Sequence, residues 1–274
     1  MVVAIALSIV ALARPRWGFR WEEIRRRGVD IVVALDVSQS MMATDVDPNR
    51  LERAKRKIQD LLTMLRGDRI GLVAFAGSSF IQCPLTLDYG AFRIFLDGLS
   101  PDLIPVPGTA VARAIETSLT AFDPKLRTSK AIILITDGED HGGNPLSAAK
   151  KAKEAGVKIF TIGIGKREGA PIPLAGPGGG FKKDHSGNLI LTRLDEETLK
   201  KIALTTGGAY VHSVTGDMDL QSIYLKGIRM GMKQTELATR RKKRWTERFE
   251  WPLMAAVFLL IAEGFLREGG REEA

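Results

Sequence analysis

Residues 29–48 read "VDIVVALDVSQSMMATDVDP". A nearly continuous apolar run of strand length fits a strand buried on both faces, as in a parallel sheet covered by helices. The run stops at Asp36, and Ser38 and Ser40 follow at two-residue intervals. Three small oxygen-bearing side chains at the exit of so apolar a strand make a rim, not a core.

The same pattern repeats along the chain. "RIGLVAFA" (69–76), "KAIILITD" (130–137), "VKIFTIGIG" (157–165) and "AYVHSV" (209–214) read as strands. Helical spacing covers 50–65, 89–99, 109–122, 145–156 and 194–208, the last with an acidic first turn and a glycine stop. This alternation predicts an α/β fold, a doubly wound, mostly parallel sheet flanked by helices, with short membrane-associated helices at both ends. The Gly/Pro-rich stretch 169–188 interrupts it and reads as an inserted loop or hairpin. Its "GPGGG" (176–180) lacks the Lys-Ser/Thr of a phosphate-binding loop and reads as a turn.

With 274 residues, 45% of them hydrophobic, the chain can form one large core or two small ones. The single Cys83 excludes an intrachain disulfide framework and a cysteine-rich metal site. The net charge of +8 suggests nucleic acid until it is located. Residues 14–27 hold six arginines and 240–248 six more Lys/Arg, whereas 28–239 carry 26 basic and 24 acidic residues. The body is nearly neutral, the basicity sits in two narrow bands and not on one continuous face, and a nucleic-acid partner is not supported.

Each basic band abuts an apolar segment. Residues 1–13, "MVVAIALSIVALA", carry no charge but would span only about 20 Å as a helix, against roughly 30 Å of hydrocarbon. A signal peptide competes with a membrane segment here, but the positive n-region it needs is missing. "WPLMAAVFLLIAEGFL" (251–266) has Trp245 and Trp251 as interface anchors, and a buried C-terminal helix is its competitor. The dense "RRKKRWTER" beside it fits an anionic lipid surface. The expected organisation is a membrane segment at 1–14, truncated at its start, and a basic juxtamembrane linker at 15–28. A domain at 29–225 follows, then a basic helical linker at 226–250 and a second membrane segment at 251–267. Both basic bands lie on the domain side of their segments, which favours a cytoplasmic domain, and the sequence leaves a periplasmic one open.

In an open α/β sheet, ligand groups collect outside the carboxyl ends of the strands. Asp36, Ser38 and Ser40 leave the first strand, Asp137 ends "LITDGED", and Thr109 opens a helix at "VPGTAV". Two carboxylates and three hydroxyls form an all-oxygen set suited to a hard divalent cation: Mg²⁺, with Mn²⁺ or Ca²⁺ as alternatives. With so few charges on it, the cation stays electron-poor and can accept a carboxylate from an acidic residue of a protein partner. Gln39, Glu139 and Asp140 stand where they would line this rim, or serve as plain solvated loop. Serines after a strand also cap helices, and Asp45 and Asp47 read as residues of a helix start. His141, His185 and His212 share no metal-ligand spacing.

At these residues the chain resembles the metal-ion-dependent adhesion site of a von Willebrand factor type A domain. That resemblance implies metal contact through the hydroxyls of Ser38, Ser40 and Thr109, with Asp36 and Asp137 acting through water or from behind. More narrowly, "LDVSQSMMATDVDPNRLERAK", "CPLTLDYGAFRIFLDGL", "ITDGEDHGG" and "LDEETLKKIALTTGGAY" resemble the Bat (aerotolerance) group of bacterial membrane-anchored proteins, in its BatB-like branch. This implies a bacterial inner-membrane protein acting beside a MoxR-type AAA+ ATPase and other Bat proteins, with a longer N-terminal membrane region than is present. The rival reading is a Mg²⁺-dependent phosphohydrolase with Asp36 as nucleophile. Phosphatases of that kind need a second Asp two residues on, where Ser38 stands. A scaffold with a purely structural ion is the third option, and serine-rich coordination that keeps water speaks against it.

Overall fold

The computed structural model describes residues 2–13, 15–126, 128–140, 142–174, 179–213, 220–221, 223–232 and 235–269. In chain order the elements are α1 (Val2–Leu12), β1 (Arg16–Gly28), β2 (Asp30–Asp36), α2 (Arg50–Met64), β3 (Arg69–Phe75), β4 (Ser79–Thr86), α3 (Tyr89–Asp97) and α4 (Val111–Thr120). Then come β5 (Lys130–Thr136), α5 (Pro145–Glu154), β6 (Val157–Ile164), β7 (Ala170–Pro171), β8 (Leu191–Thr192), α6 (Glu196–Thr206), β9 (Tyr210–Ser213), β10 (Thr235–Glu247) and α7 (Glu250–Gly269). A π-helical segment, Ile223–Arg229, precedes β10.

The chain divides into two units. The larger, Arg26–Leu237, holds a six-stranded sheet in the order β4-β3-β2-β5-β6-β9. All neighbours are parallel except β3 and β4. Strand alternation sorts the core into two layers. Ile31, Val33 and Leu35 of β2 pack with Leu51, Ile58 and Leu61 of α2 and with Phe92 of α3. Val32 and Ala34 face the opposite layer, with Val111 and Ile115 of α4, Ala149 of α5 and Leu199 of α6. This is the doubly wound α/β architecture expected. After β2 the chain moves outward to β3 and later returns to place β5 on β2's other side, so a topological switch point lies between β2 and β5.

Strand β4 escapes a reading by hydrophobic runs because it is an antiparallel edge with mixed burial, and its Pro84 is tolerated only at such an edge. The insert expected at 169–188 is longer, a small hairpin that closes at Thr192, with β7 antiparallel to β8 and bridges Pro173–Phe181 and Lys183–Leu189. Its expected turn at 176–180 lies partly outside the described residues, as does His141.

The smaller unit, Met1–Arg25 with Ala238–Ala274, contains α1 and α7, which pack together. The stretches expected as a basic linker at 15–28 and a basic helical linker at 226–250 contain β1 and β10, which pair as a two-stranded sheet, so Thr235–Glu247 is strand where helix was expected. Trp17, Phe19 and Trp21 recur at period two among the arginines of the sequence, a strand signal that the charge obscured. Both apolar end helices form, but no helix among the described residues is long and apolar enough to cross a membrane. The 11 residues of α1 span about 16 Å, and α7 carries Glu250, Glu263, Arg267 and Glu268 along its length.

The sheet's central strands set the stability of the larger unit. Ile133 of β5 is fully buried, so Ile133→Ala is expected to lower the unfolding free energy by about 2–5 kcal/mol in denaturant titration, through lost contacts and a cavity.

Candidate metal centre

Parallel pairing of β2 with β5 runs from Asp30↔Lys130 to Leu35↔Ile135, so Asp36 and Asp137 emerge beside each other at the switch point. Both are fully buried. Asp36 Oδ1 accepts the Ser38 N–H at 2.8 Å and Oδ2 accepts the Thr136 hydroxyl at 2.6 Å. The turn that this creates brings the Ser38 and Ser40 Oγ atoms within 2.9 Å of each other. Both hydroxyls face an open cleft of about 560 Å³, which Thr109, Gln39 and Glu139 also line.

Helix α4 starts two residues later than its sequence suggests, at Val111, leaving Thr109 in the loop on the cleft wall. Ala110 cannot cap that helix, and Asp140 does so from a distance: its Oδ1 accepts the Val111 N–H at 3.1 Å. Asp140 is therefore committed to α4 and is absent from the cleft wall, unlike Glu139 and Gln39. Asp45 belongs to the charge balance described below, and Asp47 is exposed. His185 is also exposed, and His212 Nε2 lies 2.9 Å from the Gly165 carbonyl.

A buried arginine divides the two carboxylates. Arg50, fully buried at the start of α2, donates from Nε and Nη2 to the Asp45 carboxylate, both at 2.8 Å. Its Nη1 donates to Asp137 Oδ2 at 2.9 Å and to Thr192 Oγ1 at 3.1 Å. Burial alone would raise the Asp45 pKa, but hydrogen bonds from Arg50 and the Lys166 N–H take it below the usual value. The guanidinium needs a glycine opposite: Gly165 sits at φ +121°, and a Cβ there would lie 2.6 Å from Arg50 Cζ. Arg50 thus pairs with Asp45 and Asp137, offsetting one of their two charges, and Asp36 has no cationic partner among the described residues. Burial, then the Asp137 charge, pushes its carboxyl up to about 7, against the hydrogen bonds from Thr136 and Ser38.

The residues fit a divalent cation on this ground. A buried carboxylate without a counter-charge is costly, and beside it Ser38 and Ser40 line the cleft. No cluster of three or more His, Cys, Asp or Glu that could hold a metal occurs among the described residues; this donor set is built instead from hydroxyls and two carboxylates.

Sequence reasoning passed over Arg50, Thr136 and Thr192. Arg50 carried a signal, since a cation in the first turn opposes the helix dipole and implies a buried partner. Thr136, the lone hydroxyl in "AIILIT", was another. Thr192 carried none, because its role depends on where the insert folds back.

Two outcomes follow from this charge pattern. Replacing Arg50 with Met leaves two carboxylates unpaired, and is expected to cost about 3–5 kcal/mol of stability in denaturant unfolding, with partial recovery in Arg50→Met/Asp45→Asn. Asp36 has a raised folded pKa, so it favours the native state while protonated. In chelator, its contribution is lost as pH rises from about 4 towards 7. Melting curves should show this loss in the native chain, diminished in Asp36→Asn.

Comparison with known proteins places this geometry in context. Residues 31–139 match the von Willebrand factor type A domain. BatB from Bacteroides thetaiotaomicron is 42% identical with a TM-score of 0.71, over 74% of this chain and 99% of that one. An aerotolerance-related membrane protein from Bacteroides fragilis is 39% identical with a TM-score of 0.70, over 75% and 100%. A UPF0353 protein of Mycolicibacterium paratuberculosis is 31% identical over 238 residues, 81% of this chain and 66% of that protein's length. Proximal thread matrix protein 1 of the mussel byssus, with zinc in its metal-ion-dependent adhesion motif, shares the fold at 19% identity and a TM-score of 0.54, over 83% and 50%.

Proposed function

The chain belongs to the von Willebrand factor type A domain family, in its BatB-like, aerotolerance-related group, and we propose that it is a membrane-tethered, metal-dependent protein-interaction module. Ser38, Ser40 and Thr109 would hold a divalent cation, Mg²⁺ in the first instance, with Asp36 and Asp137 supplying negative charge from below. An Asp or Glu of a partner protein would complete the coordination from the cleft side. The observation that carries this reading is the buried Asp36, without a counter-ion among the described residues, beside the paired serine hydroxyls. The zinc-bearing site of the mussel protein supports the use of such a motif for metal.

The Bat relationship supports a partner set of other Bat proteins and a MoxR-type AAA+ ATPase, in a stress-tolerance role at the bacterial inner membrane. The membrane naming of the Bacteroides fragilis relative and the apolar α1 and α7 support the tether, and the basic bands on the domain side support a cytoplasmic domain. The phosphohydrolase alternative finds no support in the geometry. A nucleophile must touch its substrate, and Asp36 is fully buried with both carboxylate oxygens hydrogen-bonded.

Calorimetric titration of Mg²⁺ and Mn²⁺ into the full chain in detergent tests the proposal. Saturable binding at one site is expected, abolished in Ser38→Ala/Ser40→Ala while the circular dichroism spectrum is retained. Unchanged binding in that variant would overturn it.

A further inference from the structure

The cleft above the hydroxyl rim has two walls of different origin. One is the proline-rich loop after α3, through Ile104, Pro105, Val106 and Pro107. It lies tightly on the exit of β3: Gly77 N–H donates to the Val106 carbonyl at 3.2 Å, and a Cβ on Gly77 would come within 2.4 Å of the Pro107 carbonyl oxygen. The other wall is the insert. Lys182 N–H donates to the Ile172 carbonyl at 2.8 Å and Ile190 N–H to the Lys182 carbonyl at 2.9 Å, so these three residues stand abreast along the cleft.

The insert is anchored at its base to the candidate metal centre. Arg193 N–H donates to Glu139 Oε1 at 2.7 Å, and the Thr192 hydroxyl lies 3.0 Å from Asp137 Oδ2 and 3.1 Å from Glu139 Oε2. Glu139 is thereby held in place with its negative charge intact, so an incoming anion depends on the metal and on Lys182 for attraction. Lys182 is the single Lys or Arg on the cleft wall, and its Nζ reaches Gln39 Oε1 at 3.2 Å on the rim. The floor is polar and the walls are mostly apolar, with Lys182 on the insert and Asp102 at the far end of the proline-rich loop as their charged residues. Apolar surface continues past the lips, where Val106 is 47% exposed and Leu174, two residues beyond Ile172 and on the same side by strand alternation, is 50% exposed.

We propose, on the basis of the metal-dependent reading of this site, that the cleft recognises the residues around the partner's carboxylate. Its occupant is a segment of a partner protein in which an Asp or Glu is bracketed by apolar side chains. The carboxylate reaches the rim with Lys182 contributing positive charge, and the flanking side chains cover Val106 and Pro107 on one side and Ile172 and Ile190 on the other. A free carboxylic acid would satisfy the floor and leave both walls wet, whereas apolar surface running out over the lips calls for a chain. The insert, a wall rather than a ligand source, sets which acidic segment is accepted.

The test uses the full chain in detergent with Mg²⁺ and labelled, end-blocked peptides: Leu-Leu-Glu-Leu-Leu, Ser-Ser-Glu-Ser-Ser and Leu-Leu-Gln-Leu-Leu. Anisotropy should show the leucine-flanked glutamate binding about tenfold or more tighter than either of the others. In Val106→Ser/Ile190→Ser the preference for leucine over serine flanks should vanish while calorimetric Mn²⁺ affinity is unchanged. Equal or absent binding of the two glutamate peptides, equal binding of the glutamine peptide, or a leucine preference that survives the wall substitutions would overturn the inference alone. Absence of Mn²⁺ binding in the native chain would instead overturn the metal-dependent reading, and this one with it.

Discussion

Two carboxylates stand at the ends of adjacent parallel strands, one buried guanidinium reaches only one of them, and the site depends on that division. The register of β2 on β5 brings Asp36 and Asp137 to the same switch point. Arg50 is fully committed to Asp45 and Asp137. One carboxylate at the centre of the sheet is therefore left to be neutralised by a proton or by a cation from outside. A buried carboxylate held only by neutral donors is a standing cost to the fold. The adjacent Ser38 and Ser40 hydroxyls give that cost a use, because an ion there would be hydrated, partly ligated and open on one side.

The same ionic network links parts of the chain that are far apart in sequence. Arg50 begins α2, Asp45 lies in the loop before it, Thr192 ends the insert, and Gly165 follows β6. The candidate metal centre and the base of the insert are therefore joined by hydrogen bonds through Asp137, Thr192, Glu139 and Arg193.

Much of the fold could be read from the sequence because central parallel strands are apolar on both faces and their helices are amphipathic, a pattern that survives without any tertiary information. Strand exits carrying Asp36, Ser38, Ser40 and Asp137 were legible for the same reason: polar side chains interrupt apolar runs. What was hidden followed other physics. β4 is an edge with mixed burial, and the aromatic alternation of β1 is interspersed in sequence with arginines. Arg50 read as one more cation on a basic helix, although its place in the first turn set it apart. Asp140 stood in the right sequence neighbourhood for the rim but caps α4 across space, a role fixed by the folded loop and by no local pattern. Thr192 and Lys182 could not be found from sequence, because only the folded hairpin brings them over the strand ends.

The most direct measurement is anomalous diffraction from crystals of this chain grown with Mn²⁺. The account predicts a manganese peak bounded by the side-chain oxygens of Ser38, Ser40 and Thr109, above Asp36 and Asp137, at the floor of the cleft. No peak there at saturating Mn²⁺, with the Ser38–Ser40 hydroxyl contact intact, would contradict it.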